Sequence, residues 1–413
     1  MELTNERVID IKIKTEVLVC LTVCLVIAAS STVVLFNGMV RMFLTPPLKL
    51  DTLFIYGVFI FIVILSLESI LTRSSLVLYT VTTFFIISYL FTFLLNSHYS
   101  EYFFNIGFSF LVQSVPWLFV TYAVRDYKLL KKYLYISAFV ILVSHIASLF
   151  LFRRDLFGEQ SYQQYYTYVL LPAAVIFIDA VYEKKSFLNI ATSIITIFYM
   201  VSMGARGPLV CVVLYILLKH VATYRLNTKK AIYSSVLLAL LGFCIYIFFY
   251  DILAGLLFLL EKLNFSTRII KLLIEGYFFQ DTARVRLFKY SLDILKANPL
   301  LGVGLGKDRI LLAGKIGSGI SEAIGWYPHN IFLEISLHFG IFIGGAVILF
   351  LLRVIYISIF RNTDKYAVDS VCIFMGIGFF PLLFSGSYIT SPEFFALIGF
   401  CLYQYKKVKK PVR

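Results

Sequence analysis

An all-α polytopic membrane protein with about twelve spanning helices is the fold class this sequence predicts. Two observations carry most of the weight. Of 413 residues, 60% are hydrophobic and 15% charged, a balance that water-soluble domains of this length do not hold. The apolar residues also fall into repeated runs of roughly 20, the length at which a helix crosses a bilayer. A third observation fixes orientation. With the N-terminus inside, cations crowd the cytoplasmic segments (Arg125, Lys128, Lys131 and Lys132; Lys229 and Lys230; the Lys406–Arg413 tail). The short outer loops hold only Arg41, Lys49, Arg153, Arg154 and Arg206. That asymmetry puts both termini in the cytoplasm. The net charge of +14 is then a topology signal and an attraction to anionic lipid, not a nucleic-acid footprint.

The expected spans are roughly 17–36, 54–71, 76–95, 103–124, 133–152, 166–182, 187–203, 208–222, 232–250, 331–358, 368–388 and 393–405. Two of these, 187–203 and 208–222, read equally as one broken helix. The chain forms a single membrane domain, 1–413, with 251–328 as one large extracytoplasmic loop between spans nine and ten. Acidic residues Glu2, Glu6, Asp10 and Glu16 in the polar leader argue against a cleaved signal peptide. All six cysteines lie in apolar runs and read as small core residues, not disulfides or metal ligands.

Residues 1–150 carry little chemistry. Pro116 is expected to kink the fourth span, which neighbouring helices tolerate. The segment Arg153–Tyr166 then mixes cations with amides and tyrosines on the outer side. Arg153, Arg154, Gln163 and Gln164 are candidate substrate-binding residues, since amides and tyrosines suit sugar rings by setting hydrogen-bond donors beside an apolar face. An interfacial aromatic belt with an internally paired loop explains the same residues. Next, Met203-Gly-Ala-Arg206-Gly-Pro208 is a tight outer turn that presents Arg206 at the membrane surface. An arginine placed so, taken alone, is also a lipid-headgroup anchor.

The large loop opens with amphipathic stretches, 253–263 and 268–273, expected to lie along the interface. A helix follows, with Asp281 as N-cap, Leu287, Leu292, Ile294 and Leu295 as its apolar face, and Arg286 and Tyr290 four apart on one side. Pro299 and the glycines of Gly302-Val-Gly-Leu-Gly306 end it. That spacing fits neither a dinucleotide fingerprint nor a phosphate-binding P-loop, and a close-packed turn is the simpler reading. Glu334, just inside the tenth span, requires an arginine partner, a protonated state or a role in supporting a catalytic histidine. The outer acids show no paired carboxylate motif, so fixed guanidinium groups rather than a metal are expected to hold phosphate.

Together these residues resemble the bacterial O-antigen ligase/O-antigen polymerase superfamily. The matching elements are Arg206 in its Gly-Ala-Arg-Gly-Pro turn, Arg286 in Arg-Leu-Phe-Lys-Tyr, the turn Asn298–Gly306, and Pro328-His329-Asn330-Ile-Phe-Leu-Glu334 followed by Phe339-Gly-Ile. The resemblance covers roughly the second half of the chain, and the first half matches in topology only. It implies a membrane-embedded glycosyltransferase of GT-C-like fold, inverting and metal-independent, with no cofactor. Its donor is an undecaprenyl-diphosphate-linked glycan on the outer side of the bacterial plasma membrane. Arg206 and Arg286 correspond to the arginines that grip the donor diphosphate, and His329 to the general base. Arg284 is added by proximity, Tyr290 by its place beside Arg286, and Asn330 and Glu334 as supporting residues. The acceptor is a lipid-linked repeat unit for an O-antigen or capsular polysaccharide polymerase, and lipid A–core for a ligase. A chain-length regulator is among the implied partners. The motifs do not separate the two reactions; analogy within the family favours the polymerase. A lipid-glycan flippase is the alternative of another class, and it predicts repeated halves with charges around a midplane cavity.

Overall fold

The computed structural model describes residues 15–25, 27–28, 57, 64, 67–156, 164–225, 229, 232–233, 235–236, 247–263, 265–277 and 282–409. Among these the chain is helical, with no strand. Seven described helices are long and apolar enough to cross a membrane: Leu76–Leu95, Ser97–Ala123, Tyr127–Ser148, Gln164–Glu183, Arg206–Tyr224, Ile331–Arg361 and Lys365–Leu383. Thr15–Leu25 and Phe187–Ser202 are shorter apolar helices. The chain is thus an all-α polytopic membrane protein. Much of the expected spans 17–36, 54–71 and 232–250 lies outside the described residues, as does Asp281.

The described chain divides into two compact units. One is built mainly from Ser66–Asp126 with Asp281–Arg413, the other mainly from Tyr127–Gln280. The expected outer loop 251–328 is therefore shared between them, parting near residue 280.

In the first unit, Pro116 changes the helix rather than merely bending it. Proline has no N–H to donate to the preceding turn. The backbone widens into a π-turn over Ser109–Ser114, and a fresh helix starts at Pro116. The C-terminal helix Pro392–Lys409 packs against that second half, where the Thr121 hydroxyl donates to the Ala396 carbonyl at 2.8 Å. Further along, Leu287, Ile294, Leu312, Leu333 and Leu337 form one buried cluster, with Tyr290, Val303 and Trp326 packed on it. That cluster joins the helix Thr282–Ala297 to Lys307–Ile316 and to the start of Ile331–Tyr356.

The helix Ile331–Tyr356 is not continuous, although its apolar run reads as one span. Gly340 sits at φ 74°, ψ 178°, breaking it after Phe339. A break at membrane depth frees backbone groups that lipid cannot satisfy. The turn Asn298–Gly306 satisfies them. Val303 N–H donates to the Leu337 carbonyl at 2.7 Å and Gly304 N–H to the His338 carbonyl at 3.1 Å. Ile341 N–H donates to the Pro299 carbonyl at 2.8 Å. A Cβ at Gly302 would lie 2.6 Å from Gly340 N, so the two backbones approach as closely as only glycine permits.

In the second unit, Phe187–Ser202 and Arg206–Tyr224 are two helices joined by the turn Met203–Ala205. The expected amphipathic stretches are the helices Phe249–Lys262 and Arg268–Ile274. Their buried Leu253, Leu260 and Ile270 pack with Phe198 and Val201. Asp179 is fully enclosed within the unit. Lys219 lies 2.5 Å and Lys131 2.7 Å from its carboxylate, and the Tyr215 hydroxyl donates to it at 2.9 Å. Five cysteines are described, and all are buried with no disulfide among the described residues.

Candidate active site

The segment that carries His329 is short and held at both ends. Asn330 caps the broken helix, its side-chain oxygen accepting from Leu333 N–H at 3.1 Å. That satisfies one of the donors every helix start leaves open. His329 precedes it with φ 55°, the only non-glycine residue at positive φ among the described residues. Such a backbone is strained for an L-residue and persists only where the surroundings impose it. Here they do. The His329 ring lies 4.3 Å from the Tyr327 ring, centroid to centroid. The Arg309 guanidinium sits over the other ring, 5.2 Å from the Tyr327 centroid, and donates to the Ile324 carbonyl at 2.8 Å. Burial pushes the Tyr327 hydroxyl above its usual range, although Arg309 opposes this, and its oxygen hydrogen-bonds the Gly386 backbone. It is therefore a neutral phenol at physiological pH.

Arg309 leads into a buried polar network that the sequence reading missed. Arg309 is 1% exposed, as is Glu334. The Arg309 guanidinium approaches Glu334 to 3.9 Å and donates to the Ser387 hydroxyl at 2.6 Å. Ser387 in turn donates to Glu334, and Tyr388 N–H donates to the other Glu334 oxygen at 3.2 Å. One helical turn on, His338 Nε2 lies 2.9 Å from Asp308 and Nδ1 2.6 Å from the Tyr388 hydroxyl. Of the three readings open for Glu334, the geometry supplies the arginine partner. A signal existed: Glu334 and His338 are four apart and so share one helix face. Asp308, Arg309, Ser387 and Tyr388 gave none, because they are brought together from distant parts of the chain.

Asp308, Glu334 and His338 form one group among the described residues whose ligand atoms lie within 4.8 Å of one another. The fit to a divalent cation is poor. Both His338 nitrogens and both Glu334 oxygens are engaged by protein groups. Arg309 already supplies a cation, and Asp308 Oδ2 is the one ligand oxygen without a partner among the described residues. Hard divalent cations require several committed oxygens. The cluster reads instead as an internally paired brace between the broken helix, the helix Lys307–Ile316 and the Ser387–Tyr388 turn.

The arginines lie on two different units. Arg286 is exposed and Arg284 half-buried on the helix Thr282–Ala297. Leu287 and Tyr290 of that helix share the buried cluster with Trp326 and Leu333, which flank His329 in sequence. Arg286 and His329 thus stand on elements fastened to one core. Arg206 belongs to the other unit. It opens the helix Arg206–Tyr224 and donates to the Tyr277 carbonyl at 3.3 Å. Its turn is braced by Arg268, which donates to the Gly204 carbonyl at 3.1 Å. Arg153 and Arg154 lie within the helix Tyr127–Leu156, so the expected loop begins later than its composition suggested. Their side chains and Gln163 are outside the described residues. Gln164 opens the helix Gln164–Glu183.

Residues 191–349 match the family model described as O-antigen ligase. The matched stretch includes Arg206, Arg284, Arg286, Tyr290, the Asn298–Gly306 turn, His329, Asn330 and Glu334. No curated protein matches the chain.

Proposed function

We propose that this chain, whose residues 191–349 match the family model described as O-antigen ligase, is an O-antigen or capsular polysaccharide polymerase of the O-antigen ligase/O-antigen polymerase superfamily. It transfers the growing glycan from undecaprenyl diphosphate to the next lipid-linked repeat unit on the extracytoplasmic side of the plasma membrane. The observation that carries the reading is the pairing of a strained, braced histidine with a phosphate-suited arginine on elements that share one core. In the reaction, an acceptor hydroxyl attacks the anomeric carbon. The bond from that carbon to the diphosphate breaks, and the electron pair leaves with undecaprenyl diphosphate. The hydroxyl proton goes to His329. Attack opposite the leaving group inverts the anomeric centre.

Arg286 neutralises the charge that builds on the leaving diphosphate, the role the family resemblance also gives Arg206. A guanidinium binds phosphate oxygens in bidentate fashion and needs no metal to do so. Tyr327 and Arg309 hold the His329 ring in place. Asn330 fixes where the helix begins, and Glu334 anchors Arg309.

Lipid-linked intermediates in a deletion strain provide the test. A polymerase defect leaves single repeats on lipid A–core or on the final carrier. Full-length chains trapped on undecaprenyl diphosphate would make the chain a ligase, and repeats trapped in the inner leaflet would make it a flippase.

A further inference from the structure

We propose that the groove between the helices Thr282–Ala297 and Lys307–Ile316 is a subsite for sugar rings of the lipid-linked glycan, an inference that rests on the glycosyl-transfer reading above. The groove has a volume of about 540 Å³, and Tyr99, Asp293, Asn298, Gly314, Lys315 and Ser318 are among its lining residues. That volume lies within the range of small-molecule sites, roughly 300–1,000 Å³.

The chemistry of the lining selects the ligand class. An aromatic ring, a carboxylate, an amide, an ammonium and a hydroxyl converge on one space. Pyranose rings need that mixture, with apolar C–H faces for the ring and donors and acceptors for the hydroxyls. A bare diphosphate does not suit it, because Asp293 would repel it. Asp293 forms no ion pair among the described residues and so is available to accept hydroxyl protons.

Position points the same way. Arg286, Tyr290, Asp293 and Ala297 follow spacings of four, three and four, which place them in one stripe along the helix. At a rise of about 1.5 Å per residue, Asp293 stands roughly 10 Å along the axis from Arg286. Lys315 Nζ, on the groove wall, is 6.0 Å from the Tyr290 ring centroid. The stripe therefore runs from the diphosphate arginine past Tyr290 into the groove, the path a glycan attached to that diphosphate would follow.

Gly314 makes the idea testable without damage to the fold. A Cβ there would meet nothing within 4 Å. A larger side chain projects into the groove, and replacing a helix glycine otherwise favours the helix. The experiment uses the full chain purified in detergent. The probe is the repeat-unit oligosaccharide released by mild acid from the lipid-linked pool of a deletion strain. Gly314→Leu is expected to keep or raise the melting temperature and to weaken oligosaccharide binding by roughly tenfold or more. Asp293→Asn is expected to weaken it several-fold, with donor-diphosphate affinity unchanged. Gly314→Leu with an intact fold and wild-type oligosaccharide affinity overturns the proposal. Should that variant fold poorly, Asp293→Asn and Lys315→Met decide in its place, and unchanged affinity in both overturns it equally. A wild-type protein that binds the oligosaccharide through these residues but forms no glycosidic bond sustains the subsite and overturns the polymerase reading. One that polymerises with the same donor KM in wild type and Gly314→Leu overturns the subsite alone.

Discussion

His329, Tyr327 and Arg309 follow one another in contact, the two rings tilted at 56°, and each has a separable job. His329→Ala removes the proton acceptor and should cut turnover by roughly 10²–10⁴-fold while sparing donor-lipid affinity. Arg286→Lys keeps the charge but loses the bidentate fork, so it should be nearly as damaging as Arg286→Ala. Donor affinity and single-turnover rate in purified, folded protein check both. Lost donor binding in His329→Ala together with an unaffected Arg286→Ala would reverse the assignment of base and clamp. Tyr327 offers a finer test. Its ring touches the His329 ring, whereas its hydroxyl only anchors to the Gly386 backbone. Tyr327→Phe should therefore retain most of the turnover that Tyr327→Ala loses. Equal losses would mean that the hydroxyl, not the ring, positions the base. For the Asp308–Glu334–His338 cluster, with Arg309 beside it, activity is expected to survive EDTA. Inactivation by chelation and rescue by Mg²⁺ or Mn²⁺ would turn the paired brace into a metal site.

Among the elements, the broken helix positions the site. Its first half carries Asn330, Glu334 and His338, and the break after Phe339 is stitched by the Asn298–Gly306 turn. Gly340 stands at φ 74°, and a Cβ there would overlap the Leu300 carbonyl. Gly340→Ala should therefore destabilise the protein by more than the roughly 1–3 kcal/mol that so glycine-specific a backbone alone costs an L-residue. Gly345, five residues on in the same helix, is the control. A Cβ there meets nothing within 4 Å, so Gly345→Ala should be neutral or stabilise by up to about 1 kcal/mol. Thermal unfolding in one detergent compares the pair, and similar midpoints would deny the break its structural role.

For the whole molecule, two buried ionic clusters stand inside apolar units, and the first is a stability device. Lys219, 3% exposed, pairs with Asp179, which Lys131 also contacts. Asp179→Ala leaves the buried Lys219 short of a counter-charge, whereas Lys131 keeps Glu183 at 2.7 Å; such a change costs about 3–5 kcal/mol in comparable sites. A melting temperature within a degree or two of wild type would mean that the lysines reach other partners. Topology is testable at the same scale. In a cysteine-free background, a single cysteine at Ser318 should label from outside and one at Lys229 from inside. Labelling at Ser318 only after the plasma membrane is permeabilised would put the site on the wrong side for its donor.

Length of apolar run and loop charge are local properties, so the membrane class and the helical architecture were legible in the sequence alone. The Arg206 turn, the Arg286 helix and the Pro-His-Asn segment stand out in the sequence because each is a short contiguous motif, and the roles proposed for them come from the family resemblance. The partners of those motifs do not stand out. Asp308, Arg309, Ser387 and Tyr388 meet Glu334 and His338 only through packing, and nothing local to any of them specifies the others. The break at Gly340 was hidden for the same reason: an apolar run looks continuous, and only the docked glycine turn satisfies the groups that a break exposes. Local physics thus determined that the chain is a helical membrane protein and where its short polar motifs fall. Which side chains support one another was decided by tertiary contacts between segments far apart in sequence.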